Sequence, residues 1–515
     1  MRPSDSLLLP GFHPDPSVVR VPDGYVVACS SFEYFPGIPL YWSADLREWK
    51  YVGSAIASDN APAVLADAYD SGGIYAPTLR YLSGRYFLTG TVFSNSRSEM
   101  NFFVTAATPL GPWSQPVVVE GARGMDPDIF EDDDGSLWWT GCRLRDEPSY
   151  EGETEVWSRE LDPVSGQLVG PEYHLWSQAV TGAVWGEGPH LYRRGQWYYL
   201  LTAEGGTEEN HAIVVARSRA VTGPYRGNPK NPILTHRHLG PGEPVANVGH
   251  ADLFDDHDGQ TWAVCLAVRP RDGHHILGRE TFIVPVSWVD DWPVLAPGVG
   301  RVADPGTSTD ARHNRLARSD ATLSLRGPAD FVRMTESGWV LHGADQTFNG
   351  TGTPSALFRR LTRWDDQVRV TLRLSEGAAG GLILRQSDAS HLRAEIDSKR
   401  GAVELIERDA GTDTCVASVR IEVSELIELL AQLDGGKVTW FVNGQPLGET
   451  KASSLATEVA GGFVGTVAGP YVVGAGGLGL VTDWVQGTDQ DLAAAGLPVP
   501  PVGHRAQDHS GTTHN

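Results

Sequence analysis

Cysteine is scarce in this chain of 515 residues, and zinc-site spacing is absent. The four cysteines, Cys29, Cys142, Cys265 and Cys415, stand far apart and form no CxxC pair. A disulfide framework and a structural zinc site are therefore disfavoured. We expect the cysteines to be buried, reduced thiols.

Long apolar runs and excess positive charge are also absent. The amino terminus, MRPSDSLLLPGFHPDP, has a run of only three leucines, which is far shorter than a signal-peptide core, and no stretch approaches a membrane span. These absences predict a cytoplasmic protein. The net charge of −23 is spread along the chain, which disfavours nucleic acid and anionic membrane as partners and favours a neutral substrate.

The length of the chain predicts two domains, because it exceeds one ordinary core. Residues 304–324 are rich in Gly, Ser, Thr and charge and predict a linker between a domain at 1–303 and a domain at 325–495. Residues 496–515 are rich in Pro, Gly and polar side chains and predict a disordered tail.

A repeat of about sixty residues organises the first domain. Each unit begins with a short apolar strand, a turn with glycine and an aromatic-rich strand, and further strand-like segments follow. The five hairpins are PSVVRVPDGYVVACS, PTLRYLSGRYFLTG, PDIFEDDDGSLWWTG, PHLYRRGQWYYLLTA and ADLFDDHDGQTWAVCLA. Four strands per unit and almost no helix are typical of a five-bladed β-propeller.

Counting back from the turn glycines identifies one residue at the start of each hairpin. Nine residues before the glycine, or eight in the fourth unit, the chain has Asp15, Tyr75, Asp126, Glu187 and His250. Because the innermost strands of a propeller line its axis, we expect these side chains to face one shared cavity.

Three of these five side chains are carboxylates. A lone aspartate before a strand usually accepts hydrogen bonds in a turn, which is the alternative for Asp15. Like charges that converge on a narrow cavity cost folding free energy, so a function explains the three better. Asp128 belongs to the strand itself, and we expect it to accept hydrogen bonds.

Three converging carboxylates suit the hydrolysis of a glycosidic bond. A protonated acid assists the leaving oxygen, and an ionised carboxylate acts on the opposite face of the sugar. If that carboxylate activates water, the two stand about 6.5–9.5 Å apart and the anomeric configuration inverts. A third carboxylate raises the pKa of the acid by repulsion.

Seven segments carry a family resemblance, in family order through the first domain. They are LPGFHPDPS, SSFEYFPGIPLYWSADLREW, SGGIYAPTLRY, GMDPDIFEDDDG, WGEGPHLYRRGQWYYLLTAEGGT, NPILTHRHLGPGEPVANVGHADL and LGRETFIVPVSW. The chain resembles glycoside hydrolase family 43, the propeller β-xylosidases and α-L-arabinofuranosidases, in its two-domain form. The resemblance implies that Asp15 is the general base, Glu187 the general acid and Asp126 the residue that tunes and orients this acid.

The resemblance also implies substrate-binding residues. Arg279 matches an arginine that reaches the −1 sugar, with an inter-blade salt bridge as the alternative. Phe32 matches an aromatic wall of the pocket, with core packing as the alternative. Tyr75 replaces the tryptophan that is common in the family, which changes that wall. Trp185 faces either the cleft or the core.

His250 is the remaining axial residue. The family often has a histidine there, near a water or a cation. Because no second His or Cys stands at ligand spacing, we expect no required metal. Hydrogen bonding of His250 to water or substrate is the main interpretation, and a nearby calcium-type ion is the alternative.

The second domain reads as an antiparallel, jelly-roll-like β-sandwich. Val368, Val370, Leu372 and Leu374 alternate with polar residues, as in a strand with one buried face. LIELLAQLDGGKVTWFVNGQ has helical propensity, yet its apolar residues alternate, so we predict a hairpin. The resemblance implies that this domain packs on the propeller and closes one side of the cleft with a loop.

The expected activity is that of an inverting, exo-acting glycosidase. Its substrate would be a pentose-containing oligosaccharide that ends in β-D-xylose or α-L-arabinofuranose. A retaining propeller glycosidase and a propeller that binds carbohydrate without cutting it are the alternatives. Similar enzymes are often dimers or tetramers, so a homo-oligomer is a further expectation.

Overall fold

Five antiparallel sheets follow one another along the first half of the chain, one for each sequence repeat. The computed structural model describes residues 6–240, 242–306, 321–345, 348, 352–422 and 425–487. These sheets are the blades of a β-propeller, and a β-sandwich follows them, so the predicted all-β architecture is confirmed.

The blades are built mainly from consecutive antiparallel strands, as the repeat predicts. The first blade consists of Ser17–Val21, Gly24–Ala28, Gly37–Ser43 and Lys50–Ile56. The second consists of Gly73–Ile74, Thr78–Leu82, Arg85–Phe93, Met100–Ala106 and Val117–Val118. The third consists of Met125–Glu131, Leu137–Leu144, Thr154–Asp162 and Gln167–Trp176.

The last two blades complete the ring. The fourth consists of Glu187–Arg194, Trp197–Glu204, Ala212–Ser218, Arg226–Gly227 and Leu234–Thr235. The fifth consists of Ala246–Asp255, Thr261–Val268, Glu280–Val289 and Trp292–Leu295, and it also takes Leu7–Leu9 from the amino terminus. The first and last parts of the propeller are thus hydrogen-bonded in one sheet, which closes the ring.

The sandwich consists of two large antiparallel sheets. One contains Val332–Thr335, Gly338–His342, Gln367–Leu374, Ile427–Asp434, Lys437–Val442, Gln445–Lys451 and Leu478–Gly487. The other contains Ser355–Ala356, Arg359–Arg360, Ala379–Arg385, His391–Asp397, Ala402–Asp409, Thr412–Arg420 and Val467–Val473. The helical turns in the described part of the chain are Ala63–Asp67, Ala452–Leu455 and Thr457–Ala460.

Side-chain alternation fills the space between the two sandwich sheets. The residues at the alternating apolar positions of two neighbouring strands are all buried: Val368, Val370, Leu372, Leu374, Ile427, Leu429, Ala431 and Leu433. The segment with helical propensity therefore forms the predicted strand, because only a period of two places these residues on the core face.

The two domains are joined by a short pair of strands. Tyr34–Phe35 of the propeller pairs with Ser324–Leu325 at the start of the sandwich. Because of this pairing, the two domains are joined by backbone hydrogen bonds as well as by side-chain packing.

Buried charges reinforce this interface. Arg385 of the sandwich is fully buried and lies 3.3 Å from Glu33 and 2.5 Å from Asp70, both of the propeller. Arg326 is also buried and pairs with Asp388 at 3.0 Å. Each group needs its partners, because an uncompensated charge in such a place costs several kcal/mol.

Some predictions are corrected or lie outside the described residues. No disulfide links the four cysteines, and three are buried, but Cys415 is exposed because it lies on Thr412–Arg420, the last strand of its sheet. Residues 307–320 of the predicted linker and the whole predicted tail are outside the described residues. In the described part of the chain no helix is long and apolar enough to cross a membrane.

Replacing Arg385 by leucine should destabilise the protein by about 3–5 kcal/mol, because the buried carboxylate of Glu33 and the half-buried carboxylate of Asp70 would each lose a positive partner. Urea unfolding followed by circular dichroism measures the change. Arg400→Leu is the matched control, since Arg400 is exposed and forms surface ion pairs only; its effect should stay within about 0.5 kcal/mol. Equal effects of the two changes would contradict the assigned role of the interface charges.

Candidate active site

A cavity of about 780 Å³ is lined by residues of all five blades and by one residue of the sandwich. The volume lies in the range of small-molecule sites. The structure brings all eight residues singled out in the sequence to this cavity: Asp15, Phe32, Tyr75, Asp126, Trp185, Glu187, His250 and Arg279.

The backbone turns sharply where the innermost strands begin. Asp15, Asp126 and His250 have φ angles of 55°, 54° and 43°. These values lie in the left-handed region, which residues other than glycine rarely adopt. Such strain is kept where the surrounding structure requires it, and it is frequent at functional sites. Here it accompanies the exit of each side chain into the cavity.

The pairing of the strands shows that the residue counted back from the turn glycine is off by one position in the second and fourth blades. In the third blade the pairing is irregular between Met125 and Asp128, and in the fourth it is irregular between Glu187 and His190. The counterpart of Asp126 is therefore Gly188, and Glu187 stands one residue earlier. In the second blade, Tyr75 likewise stands one residue before the equivalent position. The count moved because the glycine occupies different places: Gly24 pairs with Val21 in the strand, whereas Gly84 and Gly195 lie within two-residue turns and Gly135 lies within a five-residue turn.

Asp15 is surrounded by groups that favour its ionised form. Arg279 Nη1 donates to Oδ1 at 2.9 Å, and Ser30 Oγ donates to Oδ2 at 2.6 Å. His250 Nδ1 lies 3.6 Å from Oδ1. Burial acts to raise the pKa of Asp15, but the charge of Arg279, followed by His250 and Ser30, outweighs it and the pKa is lowered. Asp15 is therefore a carboxylate at neutral pH.

Asp126 and Glu187 have the opposite electrostatics. The N–H of Gly188 donates to Asp126 Oδ2 at 3.1 Å, so the residue next to Glu187 binds Asp126 directly. Burial, followed by the charge of Asp15, raises the pKa of Asp126 to about 7. Burial, followed by the charges of Asp126 and Asp15, raises the pKa of Glu187 well above its usual range. Repulsion contributes as expected, but burial is the larger cause.

The walls beside these carboxylates are aromatic. The ring centroids of Phe32 and Tyr75 are 4.8 Å apart, and Tyr75 also contacts Phe93 at 4.5 Å. The guanidinium carbon of Arg279 lies 5.6 Å from the centre of the Phe32 ring. Arg279 is thus part of the cavity, and its ion pair with Asp15 also joins the fifth blade to the entry of the first, so the alternative of an inter-blade salt bridge holds as well. Phe32 both packs in the core and lines the cavity.

Trp185 is at the outer part of the cavity. It is 36% exposed, which excludes the alternative core role, and its φ angle is 52°. Gly152 lies close to the indole, since a Cβ atom there would be only 3.2 Å from Nε1, whereas a Cβ atom at Gly206 would make an ordinary contact of 3.5 Å with Cδ1. The ring therefore offers an accessible apolar surface two residues before Glu187.

A ring of polar groups continues along the propeller axis beyond the carboxylates. Arg80 lies among them: it binds Asp252 at 2.8 Å, stands 3.2 Å from Asp128 Oδ1 and contacts His190 Nδ1 at 3.0 Å. Asp128 Oδ2 also accepts the N–H of Leu191 at 2.7 Å, so its predicted hydrogen-bonding role is confirmed.

The calcium-type ion considered beside His250 would need ligands other than the nearby carboxylates. A calcium ion needs six to eight oxygen ligands. The oxygens of Asp15 are bound by Arg279 and Ser30, and the axial carboxylates are bound by Arg80. No group of three or more His, Cys, Asp or Glu in the described ranges could hold a metal ion.

Several residues at or beside the cavity have no signal in the sequence repeat. Ser30 and Cys142 contact the carboxylates, yet neither lies at the counted position of a repeat. Phe463 comes from the sandwich, in a loop between Thr457–Ala460 and Val467–Val473. The resemblance predicted a closing loop from this domain, but nothing in the propeller repeat identifies its residue. The axial residues His190 and Asp252 were also missed: Asp252 stands two residues after His250, as Asp128 stands two after Asp126, and His190 stands three after Glu187.

Two family models account for the two domains. The model of glycosyl hydrolases family 43 matches residues 5–293, and that of the beta xylosidase C-terminal concanavalin A-like domain matches residues 322–482. The chain therefore belongs to glycoside hydrolase family 43 and is a glycoside hydrolase. The family predicted from the seven sequence segments is confirmed.

Individual relatives match over nearly the whole chain. A xylosidase/arabinosidase of Butyrivibrio fibrisolvens is 35% identical over 495 residues, covering 90% of this chain and 94% of the relative. A non-reducing end alpha-L-arabinofuranosidase of Bacteroides ovatus is 34% identical, covering 91% of each. The crystal structure of a xylan beta-1,4-xylosidase from Bacillus halodurans superposes with a TM-score of 0.83 at 27% identity, covering 93% of this chain and 99% of that one.

Proposed function

We propose that this glycoside hydrolase inverts configuration, acts on chain ends and releases β-D-xylose or α-L-arabinofuranose from pentose-containing oligosaccharides. The observation that carries the proposal is the division of charge among three buried carboxylates. Asp15 is stabilised as an anion by Arg279, whereas Asp126 and Glu187 have raised pKa values. One base and one acid can therefore coexist at the same pH.

In the proposed reaction Asp15 takes a proton from the attacking water, and Glu187 gives a proton to the leaving oxygen. Asp15 belongs to the entry of the first blade and Glu187 to the fourth, so they approach the cavity from different sides. This arrangement suits a water molecule and a sugar between them, as inversion requires. Asp126 keeps Glu187 protonated by its charge and, through the N–H of Gly188, holds the backbone beside it.

Action at chain ends is supported by the walls of the cavity. Phe32 and Tyr75 from the propeller meet Phe463 from the sandwich, with ring centroids 6.1 Å from Phe463 in both cases. Apolar rings suit the carbon face of one pentose. A wall supplied by a second domain would block a continuing chain on this side, which supports a terminal sugar in this part of the cavity.

The leaving part of the substrate would then extend past Trp185. Its indole is accessible, lies close in sequence to the proposed acid and provides a flat surface for a second sugar ring. The relatives named for xylose and for arabinofuranose support both sugars as candidates. Tyr75, in place of a larger tryptophan, leaves a different wall for the sugar to contact.

A panel of substrates tests the proposal. Purified protein should release pentose from nitrophenyl β-D-xyloside or nitrophenyl α-L-arabinofuranoside and from xylobiose or arabino-oligosaccharides, and proton NMR should detect the inverted anomer first. A first product of retained configuration would favour a nucleophilic role for Asp15. Sugar binding without release at any pH would favour the non-catalytic alternative.

Asp15→Ala and Glu187→Ala should each lower kcat by about 10²–10⁴-fold, because each removes one proton-transfer group. Glu187→Ala should lose least on dinitrophenyl glycosides, whose leaving group needs little protonation. Steady-state kinetics on dinitrophenyl and disaccharide substrates gives the comparison. Glu209→Ala changes an exposed glutamate outside the cavity lining. It serves as the control and should keep near-normal kcat. Equal losses of Glu187→Ala on both substrates would contradict the acid role.

Asp126→Asn should move the high-pH limb of the kcat profile to lower pH. Glu187 must be protonated to act, and the neutral amide removes the repulsion that helps to hold its proton. The pKa of Glu187 falls, so activity is lost earlier as pH rises. The pH dependence of kcat measures this shift. Asp133→Asn, in an exposed turn, is the control and should leave the profile where it is. An unshifted profile in Asp126→Asn would remove the tuning role.

A further inference from the structure

Ser71 lies where the two domains meet the cavity. It is 6% exposed, and its φ angle of 58° is in the left-handed region. It belongs to the segment before Gly73–Ile74 of the second blade and does not itself line the cavity. A strained serine in this place suggests that its polar groups are needed there.

All three polar groups of Ser71 have defined partners. Its N–H donates to Glu33 Oε2 at 3.2 Å, and its carbonyl accepts the hydroxyl of Tyr75 at 2.9 Å. Its Oγ accepts the N–H of Phe463 at 2.9 Å. One residue therefore binds an aromatic wall from the propeller and the aromatic wall from the sandwich.

The loop that carries Phe463 is fitted closely to this serine. Gly462 precedes Phe463, and a Cβ atom at Gly462 would lie 2.5 Å from Ser71 Oγ, so a larger residue would push the loop away. The side-chain amide of Gln386 donates to the carbonyl of Gly461 at 2.7 Å, which fixes the start of this loop to the rest of the sandwich.

The other side of Ser71 is anchored to the same domain through charge. Glu33, which accepts the N–H of Ser71, is fully buried and lies 3.3 Å from Arg385. Arg385 is the last residue of the strand Ala379–Arg385 and directly precedes Gln386 in the sequence. Ser71 is therefore connected to the sandwich by two routes, one through the backbone of Phe463 and one through Glu33.

We propose that Ser71 is a positioning residue through which the sandwich sets the spacing between Tyr75 and Phe463, and hence the fit of the terminal sugar. The inference rests on the proposed function. In this proposal, the hydrogen bond between Ser71 and Phe463, which joins the two domains, sets the width of the sugar pocket. Loss of this bond should weaken sugar binding more than it slows the chemical step, because Ser71 contacts none of the three carboxylates.

Two variants break the contact from opposite sides. Ser71→Gly removes Oγ but tolerates the left-handed backbone, and Gly462→Ala introduces the clash from the sandwich side. Gly435→Ala is the control: its φ of 60° is also positive, and no atom lies within 4 Å of the added Cβ. It adds an alanine at positive φ in a different turn of the sandwich, without the contact to Ser71.

The first readout is kinetic. Ser71→Gly and Gly462→Ala should raise KM for the cleaved pentoside, and the inhibition constant of the free pentose, by about 3–10-fold, as expected for the loss of one hydrogen bond. Their kcat should change by less than about twofold. Gly435→Ala should match the wild type in all three constants.

The second readout does not depend on activity. Hydrogen exchange measured by mass spectrometry should become faster around Phe463 in Ser71→Gly and Gly462→Ala, and remain unchanged there in Gly435→Ala. If exchange is unchanged, or if it is faster while KM and the inhibition constant stay normal, the positioning role of Ser71 is overturned. If the wild type cleaves no pentoside, the proposed function fails, and with it the role of Ser71 in fitting a sugar, whereas exchange still decides whether Ser71 holds the loop.

Discussion

Unequal compensation of three buried carboxylates is the constraint on which the site depends. Arg279 binds Asp15, while Asp126 and Glu187 share a buried region without a comparable positive charge. In water the three would ionise at similar pH, because their ordinary pKa values differ little. Burial magnifies the difference in their surroundings. The cavity therefore holds an ionised group and a protonated group side by side.

The propeller supplies this arrangement by repeating one strand entry around an axis. The same left-handed turn directs Asp15, Asp126 and His250 into the cavity, and the irregular pairing in the fourth blade directs Glu187 there from a neighbouring position. Farther along the axis, the single positive charge of Arg80 is shared between Asp128 and Asp252. The axial carboxylates are thus compensated from within the chain, which limits the repulsion that the cavity would otherwise add to folding.

The sandwich contributes to the same cavity from outside the repeat. Phe463 completes the aromatic wall, and the buried charges around Arg385 fix the two domains against each other. Because a buried charge loses several kcal/mol when its partners move away, the interface favours one relative arrangement. The second domain is therefore part of the site, and the pocket would be incomplete in a propeller without it.

The sequence by itself determined the blade repeat, the two-domain architecture and the residues that meet on the axis, because alternation, turn glycines and strand-entry residues are local patterns. It also favoured a strand for Ile427–Asp434 over the helix of its propensity. Tertiary structure alone decided the register of Glu187 relative to Asp126, the pairing of Arg80 with two axial carboxylates and the arrival of Phe463 from the other domain. The physical reason is that these depend on turn lengths and packing between segments distant in the chain, where a shift of one residue changes which side chain enters the cavity.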